Sequence, residues 1–275
     1  MTLRHAFVPP QEANQSSHVG SYRRRLPVSL ERMYENTLDW EHLPSLHGSS
    51  FTSIDCEKAG AWGWRAKVTS GDSADACAAS LIELHLDREA RRWITRNLTG
   101  PNAGAEIWTH VFIVAEHAID IVVDFFVPDV AESARAKVGM AYAQAYETLY
   151  DEDVAMMSER QRQLDRRLDG LDRQHDLRVP YQQIGVLPKV VSLSGRDYVL
   201  HKEAGQWLIY PAQCPHQLGP LAEAVLRDGV VRCPWHGYEF DVRSGKCISG
   251  SPCRLGETPQ IIEEPEALYL RWQSD

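Results

Sequence analysis

Four residues in the second half of the chain have the types and spacing to hold a metal cluster. Cys214-Pro-His216 is followed, after sixteen residues, by Cys233-Pro-Trp-His236. Each segment supplies one thiolate and one imidazole. A [2Fe-2S] unit takes four protein ligands, two per iron. Replacing two thiolates on one iron by neutral imidazoles makes the centre less negative and raises its potential. The same four side chains could bind zinc as Cys2His2, but zinc fingers group Cys with Cys and His with His, and the alternating order argues against that. The prolines stiffen both segments, and Gly219 and Gly237 are expected to allow tight turns beside the ligands. Cys247 and Cys253 lie outside these segments and are expected to be small buried side chains rather than ligands.

A second constellation lies near the start: Asn36-x-x-Asp39-x-x-His42-x-x-x-x-His47. Two histidines five apart do not share a face of a regular helix. Pro44 between them removes a backbone donor and is expected to distort the turn, so that both imidazoles can converge on one metal. Asp39 and His42, three apart, can face each other. By itself such a pair is more often an ordinary surface or core feature.

The cluster motif resembles the Rieske family, and the following Gly237-Tyr238-Glu239-Phe240-Asp241 and Gly245-Lys246-Cys247 resemble its oxygenase and ferredoxin branch. Respiratory-chain members carry two further cysteines inside the ligand loops. Their absence here implies the lower end of the potential range. The resemblance gives the segment Glu35–His47 a meaning, since it is similar to the iron-binding stretch of Rieske non-haem iron oxygenases. There, two histidines and one carboxylate hold a mononuclear Fe(II) with open positions for O2. His42 and His47 would be two ligands. Asp39 would be the acid that links a cluster histidine, His236, to the iron ligand His42 by hydrogen bonds and so carries electrons between the centres.

The third ligand should come from a distant helix, and Asp153 is the candidate. At 100° per residue it shares a face with Tyr142, Tyr146, Leu149, Met157 and Leu164. A carboxylate on an apolar stripe is costly unless it is paired or bound to a metal. Asp151 points to the opposite side and Glu152 to a flank. Asp153 followed by Glu159 and Gln161 also resembles the acid-bearing last helix of the family. A buried Asp held by a Tyr or Arg is the alternative.

These residues need elements to position them. A polar tail over 1–20 is expected to be flexible, followed by a strand over Tyr22–Leu30 and a short helix or turn over Glu31–His47. Strand-like stretches follow at Gly63–Thr69, Ala78–Leu86 and Arg91–Leu98. Ile107–Phe126 alternates with a period of two and reads as a hairpin. A long helix is expected from near Val130 to about Leu168, with Val138, Tyr142 and Tyr146 on its buried stripe. This order predicts an α+β fold. An N-terminal helix-grip (START-like) domain over 21–169 pairs an antiparallel sheet with one long closing helix. A linker over 170–180 leads to a small all-β domain over 181–275, with short strands at Val190–Ser192, Tyr198–Lys202, Trp207–Tyr210, Val230–Arg232, Tyr238–Asp241 and Ala267–Trp272.

With 275 residues and a net charge of −9 the chain has material for two cores and no basic face of the kind a nucleic-acid binder carries. No apolar run approaches the roughly 20 residues of a membrane helix, and the N-terminus lacks the plan of a signal peptide, so a cytoplasmic protein is expected. Six cysteines in a reducing compartment point to metal binding before disulfides. His85, His110 and His117 are expected to be core or cavity residues, and Arg23–Arg25 a solvated edge. The resemblance implies an oxygenase that takes electrons from a reductase or ferredoxin, acts on a small organic substrate in the sheet–helix cavity, and assembles as a head-to-tail homotrimer. The order of domains is reversed relative to the family, which leaves open whether electrons pass within or between chains. The competing reading is a ligand-binding domain fused to a ferredoxin-like carrier or redox sensor. A zinc-stabilised interaction protein is a third.

Overall fold

The computed structural model describes residues 17–70, 79–168 and 176–272. The expected tail up to residue 16, Cys77 and most of the expected linker lie outside them. The chain divides into two compact units, one up to Met157 and one from Ser158 onward.

The first unit is a helix-grip. Its strands are β1 (His18–Leu26), β2 (Ser53–Gly60), β3 (Gly63–Thr69), β4 (Ser80–Asp87), β5 (Arg92–Asn97), β6 (Glu106–Ala115) and β7 (Ala118–Phe126). They form one antiparallel sheet in the order β1-β7-β6-β5-β4-β3-β2. Alternation on β7 puts Ile119, Ile121, Val123 and Phe125 on the buried face. They meet Ile107, Thr109 and Val111 of β6 in register, with Val123 opposite Thr109 and Ile121 opposite Val111. Burying a side chain of this size stabilises by roughly 1.5–3 kcal/mol.

Two short helices, α1 (Leu30–Leu38) and α2 (Leu43–Leu46), separate β1 from β2. The first strand, expected over Tyr22–Leu30, runs instead over His18–Leu26, so it takes up residues 18–20 of the expected tail and ends four residues early. Pro27 cannot donate to a ladder, and Ser29 accepts a hydrogen bond from the Arg32 amide at 3.2 Å as the cap of α1. The Trp64 indole donates to the Thr37 carbonyl at 3.0 Å and ties the end of α1 to β3.

The long helix α3 (Glu132–Leu168) packs its aromatic residues on the sheet, with the Phe125 ring 5.2 Å from both Tyr142 and Tyr146. It crosses β1 at two glycines. A Cβ on Gly139 would stand 2.2 Å from the Val19 carbonyl oxygen, so only glycine allows this approach. Asp151 pairs with Arg24 at 2.6 Å and Arg25 with Asp120 at 2.8 Å, so two of the three basic residues on β1 are neutralised by their own sheet and helix.

The second unit is built of three small antiparallel sheets. They use β8 (Asp176–Pro180), β9 (Lys189–Leu193), β10 (Arg196–Glu203), β11 (Gln206–Pro211), β12 (Leu226–Arg227), β13 (Val230–Arg232), β14 (Glu239–Asp241), β15 (Gln260–Glu263) and β16 (Ala267–Arg271). The orders are β11-β10-β9, β12-β13-β14 and β15-β16-β8. A single turn, α4 (Tyr181–Ile184), follows β8. Residues 176–180, expected in the linker, are instead paired with β16, Val179 standing opposite Leu268. Both are buried, which their polar flanks concealed. The last turns of α3 belong to this unit, where Arg166 pairs with Asp197 at 2.5 Å.

Candidate cluster and metal sites

Cys214 and His216 follow β11, and Cys233 and His236 follow β13. The two loops close in the same way. The Leu218 amide returns to the Cys214 carbonyl at 3.0 Å and the Gly237 amide to the Cys233 carbonyl at 2.9 Å. Each cysteine amide then donates five residues on, to Gly219 and Tyr238, at 2.8 Å. Both turns need a left-handed residue, which is Gly237 (φ 69°) in the second loop but Leu218 (φ 67°) in the first. Gly219 serves a different need: a Cβ there would stand 2.8 Å from Cys233 Sγ.

The loops bring like to like. The Cys214 and Cys233 thiols are about 1% exposed and hydrogen-bond each other, while the His216 and His236 rings meet edge to face with centroids 4.4 Å apart. The hydrogen bond from the Cys214 thiol, aided by His236 and nearby amides, outweighs burial and brings Cys233 down to about 5. The same contact, with burial, pushes Cys214 up. Of the two, Cys233 is the thiol whose anion its surroundings favour.

The other group is His42, His47 and Asp153, whose donor atoms all lie within 4.8 Å of one another. His42 and His47 bracket α2 as the residues flanking its two ends. Pro44 sits in the first turn, where its missing amide breaks nothing, so it starts the turn rather than distorting it. Asp153 Oδ1 is 3.1 Å from His47 Nε2 and 3.6 Å from His42 Nε2. All three residues are buried. Burial opposes charge on His47, but the bonds to Asp153 and Glu152 outweigh it and raise its pKa. Asp39 Oδ2 is 3.7 Å from His42 Nδ1, on the ring side away from Asp153.

Two further side chains complete this arrangement. Glu152 Oε2 stands 2.6 Å from His47 Nδ1, which fixes the ring so that Nε2 faces Asp153. The Asn36 amide donates to Asp153 Oδ1 at 2.8 Å. Helix angle placed Glu152 on a flank, and only the chain path of α2 brings His47 to meet it. Asn36 stood in the motif without a role. His85, His110 and His117 take no part in the group.

A cavity of about 140 Å³ opens above the three residues, walled by Phe51, Ile82, Leu84, Trp93, Thr95 and Tyr146. Burial above all pushes the Tyr146 phenol well up, so it stays neutral. No Lys or Arg lines the cavity among the described residues.

The family described as the Rieske [2Fe-2S] domain matches residues 173–259, which contain all four cluster residues. Residues 173–259 are a Rieske domain. Pheophorbide a oxygenase, chloroplastic, of Oryza sativa subsp. japonica is 38% identical over 91 residues, covering 31% of this chain and 17% of that protein. The oxygenase component of dicamba O-demethylase from Stenotrophomonas maltophilia is 34% identical over 68 residues, 22% of this chain and 20% of that one. The ferredoxin component of the alkene monooxygenase system of Xanthobacter autotrophicus is 32% identical over 75 residues, 27% of this chain and 62% of that one. The chain thus spans a fifth or less of the two oxygenases it matches. A START superfamily protein from Mycobacterium smegmatis superposes with a TM-score of 0.41 at 13% identity, covering 51% of this chain and 97% of that chain. The sheet order and the long α3 by themselves define the helix-grip.

The Rieske domain's buried thiol pair, its facing imidazoles and the close approach of Gly219 all fit a [2Fe-2S] cluster with two ligand types. The trio of the first unit fits a two-histidine, one-carboxylate iron site in donor chemistry, with a carboxylate holding the outer nitrogen of one imidazole. No helix among the described residues is long and apolar enough to cross a membrane.

Proposed function

We propose that the chain is a Rieske-type non-haem iron oxygenase, which uses O2 and electrons from a separate NAD(P)H-linked reductase or ferredoxin to hydroxylate or oxidatively demethylate a small organic substrate. The observation that carries this reading is the convergence of His42, His47 and Asp153 on the floor of an apolar cavity. Iron held there would supply O2 activation, and the cluster held by Cys214, His216, Cys233 and His236 would supply electrons. The protein's own part is positional. Glu152 and Asn36 hold His47 and Asp153 in place, and Phe51, Trp93 and Tyr146 give the substrate an aromatic wall. Asp39, facing the outer nitrogen of His42, is the group we assign to pass electrons from His236. A head-to-tail homotrimer in the cytoplasm belongs to the same proposal.

The cavity limits the substrate. An apolar protein cavity of about 150 Å³ accommodates benzene. A space of about 140 Å³ with no lining cation among the described residues therefore suits a neutral molecule of single-ring size. The test is iron and acid-labile sulfide per chain in anaerobically purified protein, with the electron paramagnetic resonance spectrum. About three irons and two sulfides support the proposal. About two irons, unchanged after ferrous iron is added, would instead favour a ligand-binding electron carrier. The match to a ferredoxin component is the observation that keeps this second reading alive.

A further inference from the structure

Outside both metal-type sites, two thiols stand side by side in the second unit. Lys246 and Arg254 form an antiparallel bridge, so Cys247 and Cys253 are the next cross-strand pair inward. Residues directly opposite in such a ladder have Cα atoms roughly 4.5–5.5 Å apart, inside the ~4.4–6.8 Å range a disulfide spans. Their side chains leave the same face, and the two thiols hydrogen-bond each other. Both are half-exposed rather than buried, because the seven-residue hairpin that carries them lies at the surface. Serine hydroxyls flank both: Ser249 Oγ lies 3.3 Å from Cys247 Sγ, and Ser251 donates to Cys253 Sγ at 3.2 Å. Neither thiol belongs to the cluster tetrad.

We propose that Cys247 and Cys253 are a redox-active dithiol that closes reversibly into a disulfide by exchange with a low-molecular-weight disulfide. The Cys247 thiolate attacks one sulfur of the small disulfide, forming a mixed disulfide and releasing one small thiolate. Cys253, as its thiolate, then attacks Cys247 Sγ, the protein disulfide forms, and the second small thiolate leaves. Two protein thiols are oxidised, one small disulfide is reduced to two thiols, and the two protein protons pass to the products. The order of attack follows from the surroundings. Burial disfavours the Cys247 thiolate, but the Ser249 hydroxyl, the amides of Ser249 and Ser251 and the Cys253 thiol outweigh it, whereas Cys253 is pushed up.

The test uses the full chain with its cluster loaded, equilibrated against mixtures of glutathione and glutathione disulfide, then alkylated and digested with trypsin. Cleavage after Lys246 and Arg254 leaves both cysteines on one peptide. In oxidising mixtures that peptide should lose the mass of two hydrogens and its capacity for two alkyl groups, and excess glutathione should restore both. Unchanged cluster absorbance would show that Cys214 and Cys233 are not the reacting thiols. In Cys253→Ser the exchange should stop at a glutathione adduct on Cys247. Two alkylatable thiols in every mixture, or two independent glutathione adducts without closure, would overturn the proposal, as would a Cys253→Ser protein that takes up no glutathione.

Discussion

At the scale of single residues, the two metal-type sites differ in what surrounds the ligands. In the Rieske domain the four proposed ligands lie on tight loops closed by backbone hydrogen bonds. Cys214→Ser or His236→Ala should therefore abolish the visible absorbance of the cluster, and a normal Rieske spectrum in either variant would refute the assignment. In the first unit the proposed iron ligands His47 and Asp153 are held by the side chains of Glu152 and Asn36. Asp153→Ala should keep the cluster spectrum and lose the additional iron, as read by metal analysis. Glu152→Ala frees His47 Nδ1 from its carboxylate partner, and losing such a partner typically weakens metal binding about 10–100-fold. A ferrous or cobalt titration would read that change with the cluster signal as internal control. Asp39→Asn should retain both metals and slow reoxidation of the reduced cluster by O2 and substrate. Unchanged rates would remove Asp39 from the electron path.

At the scale of elements, the metal trio is positioned by three devices: the cap at Ser29, the single turn of α2, and the glycine crossing of β1 by α3. The Ser29 hydroxyl satisfies an amide at the start of α1, and Ser29→Ala should cost about 1 kcal/mol in urea unfolding of the first unit. Gly139 is more sensitive, since a Cβ would meet a backbone oxygen that cannot rotate away. Overpacking of this kind typically costs about 1–3 kcal/mol. Gly139→Ala should also loosen the metal trio, because Asp153 lies on the same helix. Lower metal affinity together with an earlier unfolding midpoint would show that coupling. An unchanged midpoint would mean that α3 can shift along β1 without cost.

At the scale of the whole molecule, each site is drawn from one unit. His42, His47 and Asp153 all precede Ser158, while Cys214, His216, Cys233 and His236 all follow it. Mild chelation should therefore remove the iron proposed at His42, His47 and Asp153 without altering the cluster's spectrum, and adding ferrous iron back should restore it. Loss of both signals together would mean that the two sites are not separable. The dithiol at Cys247 and Cys253 adds a third, independent group within the second unit.

Spacing along the chain singles out the proposed cluster tetrad, because both loops are closed locally and each carries its two candidate ligands within four residues. It also marks the β6–β7 hairpin and α3, whose periodicities follow from backbone geometry alone. Asp153 could be singled out from its neighbours by helix angle, since a carboxylate on an apolar stripe stands out. The contact of Glu152 with His47 joins residues 105 apart and exists only once α2 and α3 are packed. The pairing of Asp176–Pro180 with β16 likewise has no local trace, because a short edge strand with charged flanks reads like a linker. The tight turn of the first cluster loop, expected at Gly219, has its left-handed residue at Leu218, where the loop's hydrogen bonds set the backbone and side-chain type does not. The meeting of Cys247 with Cys253 depends on the register of one isolated bridge. Patterns carried by neighbouring residues are written in the chain, and contacts between distant side chains were decided only by the tertiary structure.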